Sequence, residues 1–237
     1  MHGICIVHIV WGITHEICNG GYENCPYIAP YSSSPQGDTG SPILHGSPIL
    51  CGSPMSDGSP IDIPKEFLDL IEIDKVLLPQ SLHEFVKACW HIIEPGVPFK
   101  DNWHLKLICD HLQAVTEGKL KKLIINVPPR TGKSSIVSVL WPCWEWTRNA
   151  SIPFMFASYA LRLALRDNLR RRQIVESKFY QDRFGGKVKF AGEQREKAYF
   201  RNTAQGSMFA SSLGSSNILG FGGLRLVLDD PQDPTGA

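Results

Sequence analysis

An apolar run that passes without a linker into a Gly-Lys-Ser turn most constrains how this chain folds. Leu123, Ile124, Ile125 and Val127 precede PPRTGKS, and the next segment, SSIVSVLWPCWEW, reads as a helix that Pro142 should kink or end. A run this short and continuous is the signature of a strand buried on both faces of a parallel sheet. Strand, turn and helix in that order leave the first helical amides without internal partners and aimed at the turn, a setting that favours an anion. Gly132 lets the backbone approach a phosphate, Lys133 can reach the β and γ phosphates of a nucleoside triphosphate, and Ser134 can bind its magnesium ion. The general phosphate-loop pattern also carries a glycine five residues before Gly132, where this chain has Val127. Alone, Gly-Lys-Ser would be read as a surface turn; its place between a strand and a helix start gives it weight.

Roughly a hundred residues later a second apolar run, LRLVLDD at 224–230, ends in two carboxylates. A strand that delivers acids beside a phosphate loop is the other half of a triphosphate site: Asp229 would hold magnesium through water, and Asp230 would orient or deprotonate the attacking water. The plainer alternative is that paired aspartates before Pro231 only make a turn. Between the two runs, FMFASY reads as a strand and ALRLALRDNLRRRQIVE as a periodic helix, so strand and helix alternate and the fold class is α/β. Upstream, LHEFVKACWHII has helical spacing, and WHLKLICDHLQAV follows it as a second helix, with Trp103, Leu105, Ile108, Leu112 and Val115 as its stripe and Asn102 as N-cap.

The first 64 residues differ in texture. Gly-Ser-Pro recurs at 40, 46, 52 and 58, and a tract of this kind is expected to be disordered rather than a hexapeptide β-solenoid, because four proline-bearing turns are too few and too polar to bury a core. The opening stretch MHGICIVHIVWGITHEIC is apolar but lacks the Lys or Arg and the small-residue cleavage pattern of a signal peptide. Seven cysteines without a C-x-x-C pair suggest reduced thiols in a cytoplasmic protein, and no apolar run is long enough for a spanning helix. With 24 basic against 23 acidic side chains, any grip on DNA has to come from a local patch. The division expected is a leader at 1–64, a helical lead-in at 65–118 and a nucleotide-binding core at 119–237.

Taken together, FVKACWHIIEPGVPF, NWHLKLICDHLQAV, KKLIINVPPRTGKSSIVSVLWPCWEW, FMFASYALRLALRDNLRRRQIVESKFYQ and LVLDDP resemble the ATPase domain of a phage or prophage large terminase subunit, over about residues 66–233. The resemblance implies an additional-strand P-loop NTPase with a central, mostly parallel sheet, using ATP and Mg2+ to drive double-stranded DNA into a capsid. Its partners would be the portal protein and the small terminase subunit, its assembly a homo-oligomeric ring, and its place the bacterial host cytoplasm. Loops of the form PPRxGKS are typical of such motors, so Val127 fits the family, and Pro129, Arg130, Thr131, Gly132, Lys133, Ser134 and Ser135 would embrace the nucleotide. Arg130 would act as an arginine finger beside the catalytic Lys133 and Asp230, while Ser134 and Asp229 would hold the metal.

By the same resemblance Trp103 and His104 match an adenine-contacting segment, although on an apolar stripe Trp103 is more often simple core and His104 more often a solvated helix residue. Arg162, Arg166 and Arg170, joined by Arg171 and Arg172, form either a solvated basic face or a track for DNA phosphates. The second acid is Asp230 where many P-loop motors have Glu, and no coupling motif or nuclease carboxylate follows it in the chain. In the implied fold a strand that follows the second acidic run inserts between the two site strands. The sequence contains no such strand after Asp230, so an unfilled slot with unpaired edges is expected, together with a marginally stable product. The rival readings are an inactive remnant and another P-loop nucleic-acid motor such as a helicase.

Overall fold

The computed structural model describes residues 5–10, 65–128, 130–215 and 223–231. The chain divides into two units, Met1–Gly12 with Pro64–Ala237 and Ile13–Ile63. The second unit, and with it the Gly-Ser-Pro tract, lies outside the described residues. Among those described, seven strands form one sheet: β1 (Cys5–Val10), β2 (Lys122–Asn126), β3 (Phe154–Ser158), β4 (Phe190–Arg195), β5 (Tyr199–Asn202), β6 (Ser207–Ser212) and β7 (Arg225–Asp229), in the order β2-β1-β7-β3-β6-β5-β4. The pairs from β2 through β6 are parallel, whereas β6–β5 and β5–β4 are antiparallel. With helices α1 (Lys65–Leu77), α2 (Leu82–Ile93), α3 (Trp103–Thr116), α4 (Trp141–Arg148), α5 (Leu161–Glu176) and α6 (Lys178–Phe184), the fold is α/β around a mostly parallel mixed sheet.

The slot expected to be empty is filled, from the opposite end of the chain. Strand β1 lies between β2 and β7 and pairs in parallel with both, Val7 opposite Leu123 on one side and Val227 on the other. Six residues from the segment read as a leader thus satisfy backbone groups that two site-bearing strands would otherwise leave open. β2 is the outermost strand of the described sheet, and it is not buried on both faces as its composition suggests. Ile125 faces the core while Ile124 is 69% exposed, the period-two alternation of a half-covered strand. β3 is buried along its whole length.

Proline 142 does not end the helix, which runs on to Arg148. Residues Ser135–Leu140 form π-helical turns, with the Trp141 N–H bonded to Ile136 O, and the helix continues without a gap into α4, which carries Pro142. Trp141, Trp144 and Trp146 are fully buried, and each indole N–H finds an acceptor at 2.9 Å, respectively Thr116 Oγ1, Leu78 O and Ile152 O. Glu145, on the same helix, is buried against Arg225 of β7 at 2.7 Å, which ties α4 to the strand that carries the acids. Burial pushes the Glu145 carboxyl up, and Arg225 opposes that rise. Cys89, Cys109 and Cys143 are buried free thiols, the last two pushed up to about 12 chiefly by burial. No helix among the described residues is long and apolar enough to cross a membrane.

Candidate functional site

Two residues in the left-handed region shape the turn after β2: Arg130 at φ 63° and Gly132 at φ 79°. Glycine adopts this conformation freely, whereas a side chain there is strained by about 1–2 kcal/mol, so Arg130 carries local strain at the turn. Thr131 Oγ1 donates to Pro128 O at 2.9 Å, and the Ile136 N–H donates to Gly132 O at 3.0 Å, so the helix starts immediately after the turn. Pro129 lies outside the described residues.

The two motifs, almost a hundred residues apart in the chain, meet side by side. Lys133 is 4% exposed and donates from Nζ to Asp230 Oδ1 at 3.1 Å. Ser134 Oγ donates to Asp229 Oδ1 at 3.2 Å, and Ser138 Oγ donates to Asp229 Oδ2 at 2.8 Å, which gives each oxygen of that carboxylate one hydroxyl. Asp230 leaves β7 at φ 46°, and its carbonyl accepts from the Tyr159 N–H at 3.1 Å, pinning the end of β7 to the end of β3. Burial raises both aspartates above the usual carboxylate range. For Asp229 the Ser138 bond opposes the rise and the charge of Asp230 adds to it; for Asp230 the Lys133 bond opposes.

A cleft of about 470 Å³ opens over the turn. Four cationic side chains line it, Arg130, Lys133, Arg166 and Arg170, against Glu94 as the one carboxylate of its lining. Arg170 is anchored there by Glu94, by Ile93 O at 3.2 Å and by Ser135 Oγ at 3.3 Å. Beside it lies a small pocket of about 30 Å³, room for one water, between Asp229, Asp230, Asp167 and Ser158. Ser158 Oγ is buried there with no hydrogen-bond partner.

Of the site residues read from the sequence, Arg130, Thr131, Gly132, Lys133, Ser134 and Ser135 line the cleft, and Asp229 and Asp230 border the small pocket beside it. Trp103 and His104 do not line either. Trp103 is 75% exposed rather than core, and it meets His104 edge to face at 6.0 Å. Asn102 precedes α3 without a side-chain capping bond, whereas Ser81 caps α2 by accepting from the Glu84 N–H at 3.3 Å. The arginine face of α5 is not uniform: Arg166 and Arg170 turn to the cleft, Arg172 pairs with Glu176, and Arg171 is fully buried. Ser138 and Glu94 escaped the sequence reading because neither belongs to a motif. Ser138 lies one helical turn beyond Ser134, a spacing that puts both hydroxyls on one face. Comparisons of the chain with protein-family models, with curated proteins and with solved structures found no match in any of the three.

A cationic cleft on a helix start, with two half-buried carboxylates and two hydroxyls beside it, is chemically suited to a polyphosphate carrying a divalent metal.

Proposed function

We propose that this chain is a P-loop ATPase of the large terminase subunit type, which hydrolyses ATP with Mg2+ to move double-stranded DNA into a capsid. The observation that carries the reading is the convergence of Lys133 on Asp230 at 3.1 Å and of Ser134 on Asp229 at 3.2 Å, beside the cationic cleft. A surface turn and an unrelated aspartate pair would have no reason to meet. The filled slot between β2 and β7 also supports it, since it gives both halves of the site a continuous sheet to stand on.

The residues present fit a magnesium ion. Mg2+ is held by hard oxygen donors, commonly one or two carboxylates with phosphate oxygens and water completing the shell, and Ser134 with Asp229 offers that set. Bound there, the ion would supply positive charge to the phosphate oxygens. Lys133 would exchange Asp230 for phosphate oxygens, and the released Asp230 carboxylate would orient water and hold its proton. Arg130 would stand at the cleft as a further cation for charge on the terminal phosphate. Double-stranded DNA, a portal protein, a small terminase subunit and a ring of copies are the partners this reading brings with it.

The experiment is magnesium-dependent ATP hydrolysis by the purified chain beside Lys133→Ala and Asp230→Ala, with nucleotide binding followed in parallel. Turnover lost in both variants, with wild-type binding of Mg-ATP, is the expected result. Phosphate release that persists in Lys133→Ala, or a wild-type chain that binds no nucleotide, would sink the reading.

A further inference from the structure

Among the arginines of α5, Arg166 stands apart in how its guanidinium is used. Arg170 commits Nη1 and Nη2 to Ser135, Ile93 and Glu94, and Arg171 is fully buried with its donors on Asn168 and Ser138. Arg166 instead donates from Nε to Asp167 Oδ1 at 2.9 Å, and its Nη1 and Nη2 carry no hydrogen bond among the described residues. Its side chain is 54% exposed, while that of Asp167 is 6% exposed. A carboxylate this buried is a fixed anchor: it holds the inner edge of the guanidinium and leaves the outer fork pointing away from itself.

The position of that fork matters. Arg166 borders both spaces of the site, the cleft over the turn and the small pocket lined by Asp229 and Asp230. A phosphate chain seated on the amides at the start of the helix would have its inner phosphates at Gly132 and Lys133 and its outermost one toward the two aspartates, and Arg166 lines both regions. Arg130 lines the cleft but not the pocket with the aspartates. We propose that Arg166, held in orientation by Asp167, binds the terminal phosphate of the nucleotide and makes the site prefer a triphosphate to a diphosphate. The inference rests on the ATPase reading above and adds to it a phosphate-contacting residue outside both motifs.

Calorimetric titration with Mg2+ and either a non-hydrolysable ATP analogue or ADP tests it, on wild type, Arg166→Ala, Arg166→Lys and Lys133→Ala. Loss of a charge-assisted contact to one phosphate predicts that Arg166→Ala weakens the triphosphate analogue on the order of tenfold to a hundredfold while ADP changes by less than about twofold. Arg166→Lys should recover only part, because an ammonium group cannot both sit on Asp167 and present a fork to phosphate. Lys133→Ala should weaken both nucleotides. Because Arg166 is half exposed, its variants should fold, and circular dichroism melts verify this. Equal weakening of both nucleotides, or none, in Arg166→Ala overturns the inference and leaves the ATPase reading standing. A wild-type chain that binds neither nucleotide overturns both. If duplex DNA binding, rather than nucleotide preference, falls in Arg166→Ala, the fork serves nucleic-acid phosphates and the inference is likewise overturned.

Discussion

Arg171 donates from Nη1 to the carbonyl oxygen of Ser138, four residues ahead of Pro142. Ser138 lies within the π-helical stretch Ser135–Leu140, just ahead of Pro142, whose nitrogen has no hydrogen to give. The guanidinium supplies a donor from another helix, lies over the Phe156 ring at 3.4 Å, and shares Asn168 Oδ1 with its Nε and Nη2. Ser138 is therefore held at its carbonyl by α5 while its hydroxyl holds Asp229. A residue outside both motifs links the helix packing to the carboxylate of the site.

Removing that link should cost stability before it costs chemistry. Arg171→Leu leaves the Ser138 carbonyl and the Asn168 side chain without their donor in a dry interior, and the expected loss is about 3 kcal/mol or more. Urea unfolding should show a lower midpoint with an unchanged slope. A variant with the wild-type midpoint would mean that Ser138 O finds another donor and that the helix around Pro142 needs no help from α5.

Where periodicity speaks, the sequence is readable; where a partner must be named, it is silent. The stripe of α3 runs through Leu105, Ile108, Leu112 and Val115, and Trp103 lies two residues from Leu105, some 200° around the helix at 100° per residue, which is why it is exposed. The same arithmetic places Arg171 with Ala164, Asn168 and Val175 on the buried face of α5 and Arg172 off it, although the letters RRR look uniform. Meeting of Lys133 and Ser134 with the two aspartates was legible because phosphate chemistry requires it. The place of β1 was not: five of its six residues are apolar, with His8 among them, but nothing local says that they pair with strands more than a hundred residues away. Strand β5 alternates half-buried and buried positions, but Arg201 masks the pattern in the letters, while β6 repeated a signal already in view. The tetrapeptide MFAS occurs in β3 and in β6, and the two copies lie beside each other offset by one residue, Met155 opposite Phe209 and Ala157 opposite Ser211.

Strand β1 gives a second prediction. Val7 is paired on both sides, so Val7→Pro removes a donor from the ladder and places a ring where two neighbours press. The expected cost is about 3 kcal/mol or more, read as a lower urea midpoint, together with loss of nucleotide binding, since both site strands flank β1. An unchanged midpoint would remove β1 from the sheet and restore the open slot.

Asp229 gives the third, through the sign of its titration. Burial, reinforced by the charge of Asp230, raises its carboxyl above the unfolded value of about 3.9, against the opposing bonds from Ser138 and Ser134. The native state therefore binds the proton more tightly than the unfolded chain. Stability linked to this group is fully present at or below the unfolded value and is lost as pH rises through the raised folded value. At neutral pH, without metal, the ionised carboxylate is a destabilising charge. Asp229→Asn keeps the shape and removes the charge, so its melting temperature at pH 7.5 should exceed that of wild type by a few degrees, about 2–4 °C for each kcal/mol in a chain of this size. The gap should close below about pH 4, where wild type is protonated as well. Added Mg2+ and nucleotide should reverse the order, stabilising wild type by binding and leaving the asparagine variant unchanged. An Asn variant that melts below wild type at pH 7.5 without metal would mean that the two serine hydroxyls already outweigh the burial of the charge, and that Asp229 is a structural acceptor rather than a carboxylate kept for a cation.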